Sequence, residues 1–391
     1  MPDQPPEEQG HAADLIEAEQ YQATRPAKRN FQPWHRPRKQ FVRHYQWCQQ
    51  IRALLRDMQP EGNTLRYLGL PGADLLDLRY FHSTVCEPNG MHLRFLGFNV
   101  GADPKSGLQT EANISLDEVR KLSKIDPCSD IVWDDFSRIA NENSIAWKKA
   151  LDFGPYDVVN LDLCDGFCAD PPGALDDTLY NAINKLLTLQ SRNRNPWLLL
   201  LTTRAGRRHT HAEVLRKLLQ KYAQNLANCA PFRDVSKGLL GIEDEPTLQT
   251  SARTPDGLLS VFLIGLCKWM LGLAVGQQPP SEFEVRSVIG YRVEREAAHE
   301  DLISLALRFN PTFAPGVDDL GLANQAQVLP DECELSVKAL KRIAKRKDAD
   351  AILRDDEELY KEMVSATASL LEAARYDPNA FGEWAAQIRD A

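Results

Sequence analysis

The feature that most constrains this chain is a series of short apolar segments at residues 65–70, 93–99, 130–134, 156–163 and 197–203, each followed by a longer stretch with helical potential. Segments of that length and apolarity read as strands buried on both faces, and their alternation with helices calls for a parallel sheet covered on either side. The first segment runs into a turn holding Gly69, Pro71 and Gly72, and a second apolar-periodic stretch follows through Phe81. A helix entered from such a turn points its free N–H groups and positive dipole end at whatever lies over the strand ends, the opening move of a doubly wound ligand-binding sheet. Residues 283–293 and 301–309 alternate with period two and predict an antiparallel strand pair.

Charge divides the chain unevenly. The net charge is −9, which argues against a protein that coats nucleic acid generally. Yet nine Lys and Arg residues and no acid lie between Arg25 and Arg56, interleaved with Phe31, Trp34, Phe41, Tyr45 and Trp47. One reading is a local arm that holds nucleic acid, with Arg36, Arg38, Lys39 and Arg43 on phosphates and Trp34 stacking on bases. The other is a helix that docks its aromatic side on the sheet and leaves a solvated basic face.

The remaining organisation is quickly read. Residues 1–24 form an acidic, proline-bearing lead-in predicted to be disordered. Residues 25–60 carry the basic aromatic helix, 61–315 the sheet domain, and 316–391 a charged helical region that offers a protein-partner surface. Asn113 to Glu118 reads as a loop followed by a helix capped by Ser115. Residues 258–276 imitate a membrane span but carry Ser260 and Lys268, and a core helix accounts for them better than insertion, where a central lysine costs about 2.5–3.5 kcal/mol. With no signal-peptide pattern, the protein is expected in the cytoplasm and off the membrane. Eight scattered cysteines without Cys-x-x-Cys spacing predict reduced thiols and no metal site.

Five parallel-type strands followed by an antiparallel pair resembles the class I S-adenosylmethionine-dependent methyltransferases over residues 65–310. The resemblance implies a methyltransferase-like, doubly wound, mostly parallel α/β sheet and S-adenosylmethionine as cofactor. It would be held by Gly69 and Gly72 after strand one, Asn99 after strand two, and Asp134 and Asp135 after strand three. Asp162 stands where that family keeps its strand-four acid, and Asp162 or Asp165 would accept a proton during transfer. A more distant similarity is to bacterial three-Cys-motif partner proteins, which also place a basic helix before a strand and a Pro-Gly loop. The chain departs from the methyltransferase pattern in lacking an acid before the first glycine and in offering Asn99 in place of a ribose-binding acid, with Asp103 the nearest substitute. The expected function is therefore methyl transfer to nucleic acid, or alternatively a non-catalytic nucleic-acid- or protein-binding module on a degenerate methyltransferase fold. Nicotinamide-dependent oxidoreduction is excluded by the missing Gly-x-Gly-x-x-Gly.

Overall fold

The five apolar segments and the period-two pair all become strands of one eight-stranded mixed sheet, in the order β3-β2-β1-β4-β5-β7-β6-β8. The computed structural model describes residues 27–58, 60–100, 108–173, 177–294, 299–313 and 329–389. The expected lead-in at 1–24, Arg25 and Asp103 lie outside them.

A basic helical rod comes first, as α1 (Pro37–Val42), a π-helical turn (Arg43–Cys48) and α2 (Gln49–Asp57). The parallel part of the sheet alternates with helices: β1 (Thr64–Gly69), α3 (Leu76–Phe81), β2 (His92–Phe98), α4 (Leu108–Arg120), β3 (Asp130–Val132), α5 (Ile145–Phe153), β4 (Val158–Asp162), α6 (Leu179–Gln190) and β5 (Trp197–Arg204). Next come α7 (Ala212–Asn228), α8 (Ala230–Leu240), α9 (Glu245–Ser251) and α10 (Pro255–Val275). Then β6 (Ser281–Tyr291) and β7 (Leu302–Pro311) pair antiparallel, and β7 inserts beside β5, also antiparallel. The C-terminal region holds α11 (Glu332–Ile343), the two-residue β8 (Lys347–Asp348), α12 (Ala349–Asp355), α13 (Glu357–Glu372) and α14 (Pro378–Arg389).

Alternation along the strands divides the core. Leu68, Leu96, Val159, Leu161, Leu199 and Leu201 face one layer, built with α6, α7 and α10. Tyr67, Phe95, Val158, Leu198 and Leu200 face the other, built with the basic rod, α3 and the C-terminal helices. Each fully buried large apolar side chain contributes about 1.5–3 kcal/mol. α10 is the one helix among the described residues long and apolar enough to cross a membrane, and 72% of its most apolar window is buried inside the fold. Its two polar residues have partners: Ser260 accepts from Arg346 at 3.1 Å, and Lys268 pairs with Glu332.

Two expectations need correction. α4 runs unbroken through Asn113, and Ser115 is a buried residue inside it rather than a cap, because Ala112, Leu116 and Val119 form one apolar stripe across the supposed boundary. The thiols are not all reduced: Cys229, at the start of α8, is bonded to Cys333 on α11. The two lie 104 residues apart, so no local spacing could announce the pair.

The basic rod and the C-terminal helices form one layer. Lys28 donates its backbone N–H to Arg375 O at 2.9 Å and accepts from Asp377 at 3.0 Å. Phe31 packs against Tyr376, Phe381 and Trp384. Apolar surface on α13 and α14 is thus spent inside the fold.

Candidate functional site

The sheet order reverses direction between β1 and β4: the chain moves from β1 outward to β2 and β3, then returns to lay down β4 and β5 on the opposite side. In open α/β sheets the crevice beyond the carboxyl ends at this switch point is where ligands bind. The residues at that crevice are Gly69, paired in register with Asn160, and Asp162 two residues on.

The first loop is shaped differently from its glycine spacing. The residue in the left-handed region is Leu75 (φ 51°), which precedes α3; neither Gly69 nor Gly72 has a positive φ. A Cβ on Gly69 would lie 2.5 Å from the Tyr67 hydroxyl, so this glycine makes room for the Tyr67 ring, while Gly72 faces open space. Asn99 donates Nδ2–H to Pro71 O at 2.9 Å and thereby ties the end of β2 to the first loop. Asp135 accepts from Ser137 N at 2.7 Å as the cap of a 3₁₀ turn, and Asp134 accepts from Asp135 N at 2.9 Å and from Arg138 at 3.3 Å. These two acids lie past the end of β3, which stops at Val132, and the Oδ1 of each is engaged in local turn geometry.

The basic rod closes the crevice. Lys39, 4% exposed, donates to Asp162, lies 3.5 Å from the Tyr291 hydroxyl and sits over the Trp47 ring. Arg43, 3% exposed, donates Nε–H to Asp77 at 2.6 Å. Lys28 and Tyr376 both donate to Asp74, at 2.5 and 2.8 Å. Arg38 pairs with Asp350 at 2.7 Å. Burial works most strongly against the Lys39 charge, but Asp162, Tyr291 and Asp77 together outweigh it, so the Lys39 pKa is raised and the ammonium is kept. Burial drives His35, beside Asp74, down to about 4, leaving the imidazole neutral.

Of the residues expected to hold nucleic acid, Lys39 and Arg43 therefore face inward onto carboxylates. Arg36 and Arg38 are half-buried, and Trp34 remains 47% exposed. The lack of acids within residues 25–56 reflects acids elsewhere: their partners come from α3, β4, α12 and the C-terminal turn.

Around these ion pairs, several buried polar groups have unmet capacity. Arg43 Nη1 and Gln46 Oε1 have no hydrogen-bond partner. The buried amides of Gln40 and Asn160 lean on the Tyr80 and Tyr67 hydroxyls without reaching hydrogen-bond geometry. An unmet buried polar group costs about 1–3 kcal/mol, so such a gathering calls for water or a ligand. Sequence reasoning passed over Gln40, Gln46, Tyr67 and Asn160, whose only signal is polarity at positions that helix and strand periods turn inward.

Asp165 is placed differently from Asp162. It lies in the loop after β4, its side chain 79% exposed, and accepts from Gly166 N at 2.7 Å while sharing a 2.9 Å hydrogen bond with His209 Nδ1. The Gly166 N–H first, and then His209, hold its carboxyl below the usual range. Cys164 lies between the two acids on an exposed stretch, and partial desolvation by its neighbours, with Asp162 beside it, shifts its pKa upward. Among the described residues no cluster of three metal-ligating side chains occurs.

A family model described as PP_RS20740-like matches residues 28–386, nearly the whole described chain, from before the basic rod into α14. No curated protein matches the sequence.

Proposed function

We propose for this chain, which belongs to the PP_RS20740-like family, S-adenosylmethionine-dependent methyl transfer at the carboxyl edge of the sheet, with nucleic acid as the substrate class. The observation that carries the reading is the gathering of incompletely satisfied buried polar groups, Gln40 and Arg43 on the basic rod and Asn160 on β4, beside the switch point between β1 and β4. A fold that had lost its ligand would be expected to replace such groups with apolar ones. Five parallel strands followed by the antiparallel β6 and β7 add the layout of the methyltransferases that the sequence resembles.

The residues fit the cofactor unevenly. Gly72 leaves open space over the first loop, and Asn99 offers amide hydrogen bonding in place of a charged ribose acceptor. S-adenosylmethionine, when bound, would supply an activated methyl group on a sulfonium. The chain's own contribution is to align the acceptor, exclude water and take its proton. Asp162 cannot act as a free base while Lys39 is bonded to it, so its part in this conformation is electrostatic.

A second reading, a non-catalytic binding module, is favoured by that same Lys39 contact and by the Tyr67 ring over Gly69. Calorimetric titration with S-adenosylmethionine and with its demethylated product separates the two. Saturable heat at or below millimolar cofactor is expected. Absence of heat together with an unchanged melting temperature at millimolar cofactor would leave the binding module as the reading.

A further inference from the structure

The loop after β4 and the turn after β5 are fastened together at the carboxyl ends of those strands. Arg204 N donates to Asp165 O at 3.3 Å, His211 N donates to Cys168 O at 2.8 Å, and Phe167 N donates to the Thr203 hydroxyl at 2.7 Å. Gly166 makes the approach possible: a Cβ there would stand 2.0 Å from the His209 carbonyl oxygen. These contacts fix the backbone on both sides of the 2.9 Å hydrogen bond between Asp165 Oδ1 and His209 Nδ1.

A carboxylate on Nδ1 favours the tautomer with its hydrogen on that nitrogen, which leaves the lone pair on Nε2. Among the described residues, the charged groups around His209 are Asp165 from the β4 loop, Arg204 at the end of β5, Arg208 from its own turn, and Glu294 just past β6. Glu294 Oε1 stands 3.9 Å from Nε2, beyond hydrogen-bond reach. Arg204 and Arg208 approach Glu294 at 3.7 and 3.9 Å, and Arg204 also pairs with Asp301, so Glu294 is drawn toward guanidinium groups. The His209 side chain is 26% exposed, whereas Asp162 is engaged by a buried lysine.

We infer that His209 is the proton acceptor of the transfer step and that Asp165 is its positioning residue. This rests on the methyl-transfer reading above. The acceptor's O or N forms a bond to the methyl carbon as the methyl–sulfur bond breaks, and the bonding pair stays on sulfur as the thioether lone pair. His209 Nε2 takes the acceptor's proton, Asp165 stabilises the resulting imidazolium, and the proton is later released to water.

The test has a chemical and a catalytic arm. Diethyl pyrocarbonate acylates neutral imidazole nitrogen, and peptide mapping by mass spectrometry reads each histidine separately. His209 should be modified faster than His211, whose Nδ1 accepts from Glu213 N. Asp165→Asn should slow His209 several-fold, because the amide can donate to Nδ1 and move the hydrogen to Nε2. Equal rates for the two histidines, unmoved by Asp165→Asn, would overturn the inference. In the second arm, tritiated S-adenosylmethionine is supplied with unfractionated single-stranded RNA or DNA. His209→Gln should bind cofactor as the parent does while losing about 10²–10⁴-fold in transfer. Undiminished transfer by His209→Gln would also overturn it. Cofactor heat absent from the parent would instead defeat the methyl-transfer reading, and with it the catalytic use of a dyad that the acylation rates still report.

Discussion

Lys39, on the first turn of the basic rod, donates to Asp162 at the end of β4, 123 residues further along the chain. The contact joins the segment with the greatest local positive charge to the acid nearest the switch point, and it is asymmetric. Lys39 is 4% exposed, whereas the Asp162 side chain is 21% exposed.

That asymmetry predicts unequal costs. Asp162→Asn strands an ammonium that water cannot reach and should destabilise the fold by about 3–5 kcal/mol. Lys39→Met leaves a carboxylate that water can still solvate in part and should cost less, about 1–3 kcal/mol. Urea unfolding of the two variants checks the order. A larger loss for Lys39→Met would mean that the rod leaves the crevice readily.

His35 predicts a pH dependence. Its pKa is lowered by burial to about 4 in the fold against an ordinary 6.5, so below 6.5 the unfolded chain takes up a proton that the fold refuses. Stability is therefore lost as pH falls from 6.5 to 4, by at most about 3.5 kcal/mol at ~1.4 kcal/mol per unit. Carboxylates titrate in the same range, so the measure is the difference in urea midpoint between parent and His35→Gln at pH 7 and pH 4.5. The variant should lose less on acidification; equal losses would show that His35 is protonated within the fold.

Salt dependence of nucleic-acid binding decides how much of the basic stretch reaches phosphate. Half of its nine cations acting together would give a log–log slope of about −3 for single strands, at ~0.7 per contact. With Lys39 and Arg43 buried and Arg38 on Asp350, the exposed Arg56 and Arg29, the latter paired with Asp377 at 2.7 Å, predict a slope no steeper than about −1.4. Arg38→Glu would press a carboxylate against Asp350 and should lower the melting temperature as well as any affinity. A slope of about −3 or steeper would require the rod to undock when nucleic acid binds.

Reduction should loosen the end of the molecule where α8 meets α11. Cys229–Cys333 closes a 104-residue loop, for which chain entropy predicts stabilisation of roughly 3–5 kcal/mol. Cys333→Ser, or the parent with dithiothreitol, should melt several degrees lower. Identical melting of the oxidised and reduced parent would show that the bond adds nothing to packing already present.

What the sequence could announce follows from the range of each interaction. Strands β1, β2, β4 and β5 were legible because a strand buried on both faces must be apolar at nearly every position, a local property. α10 was legible for the same reason, although the partners that make Ser260 and Lys268 tolerable, Arg346 and Glu332, lie in a region read only as a charged appendage. The basic stretch misled because charge was counted locally while its acids are supplied from afar: Asp77, Asp162, Asp350 and Asp377. Gly69 was noticed for its spacing, yet the structural reason for it is the Tyr67 ring two residues earlier. His209 and Asp165 lie 44 residues apart, and nothing local says that Gly166 lets the two backbones meet.

Gly166 gives the last prediction. Its Cβ position falls 2.0 Å from His209 O and 2.9 Å from the His209 carbonyl carbon, so Gly166→Ala cannot be accommodated without moving the β5 turn. Overpacking of this kind costs about 1–3 kcal/mol, and here it is relieved by drawing the exposed Asp165 and the β5 turn apart while the neighbouring Phe167 stays anchored in the core. The variant should therefore fold, with a melting temperature a few degrees lower, while the 2.9 Å contact between Asp165 and His209 is broken. Histidine-selective acylation reports the break: His209 should lose its advantage over His211 in Gly166→Ala, as in Asp165→Asn. An unchanged His209 rate in a correctly folded Gly166→Ala protein would mean that the imidazole's reactivity does not depend on the Asp165 carboxylate.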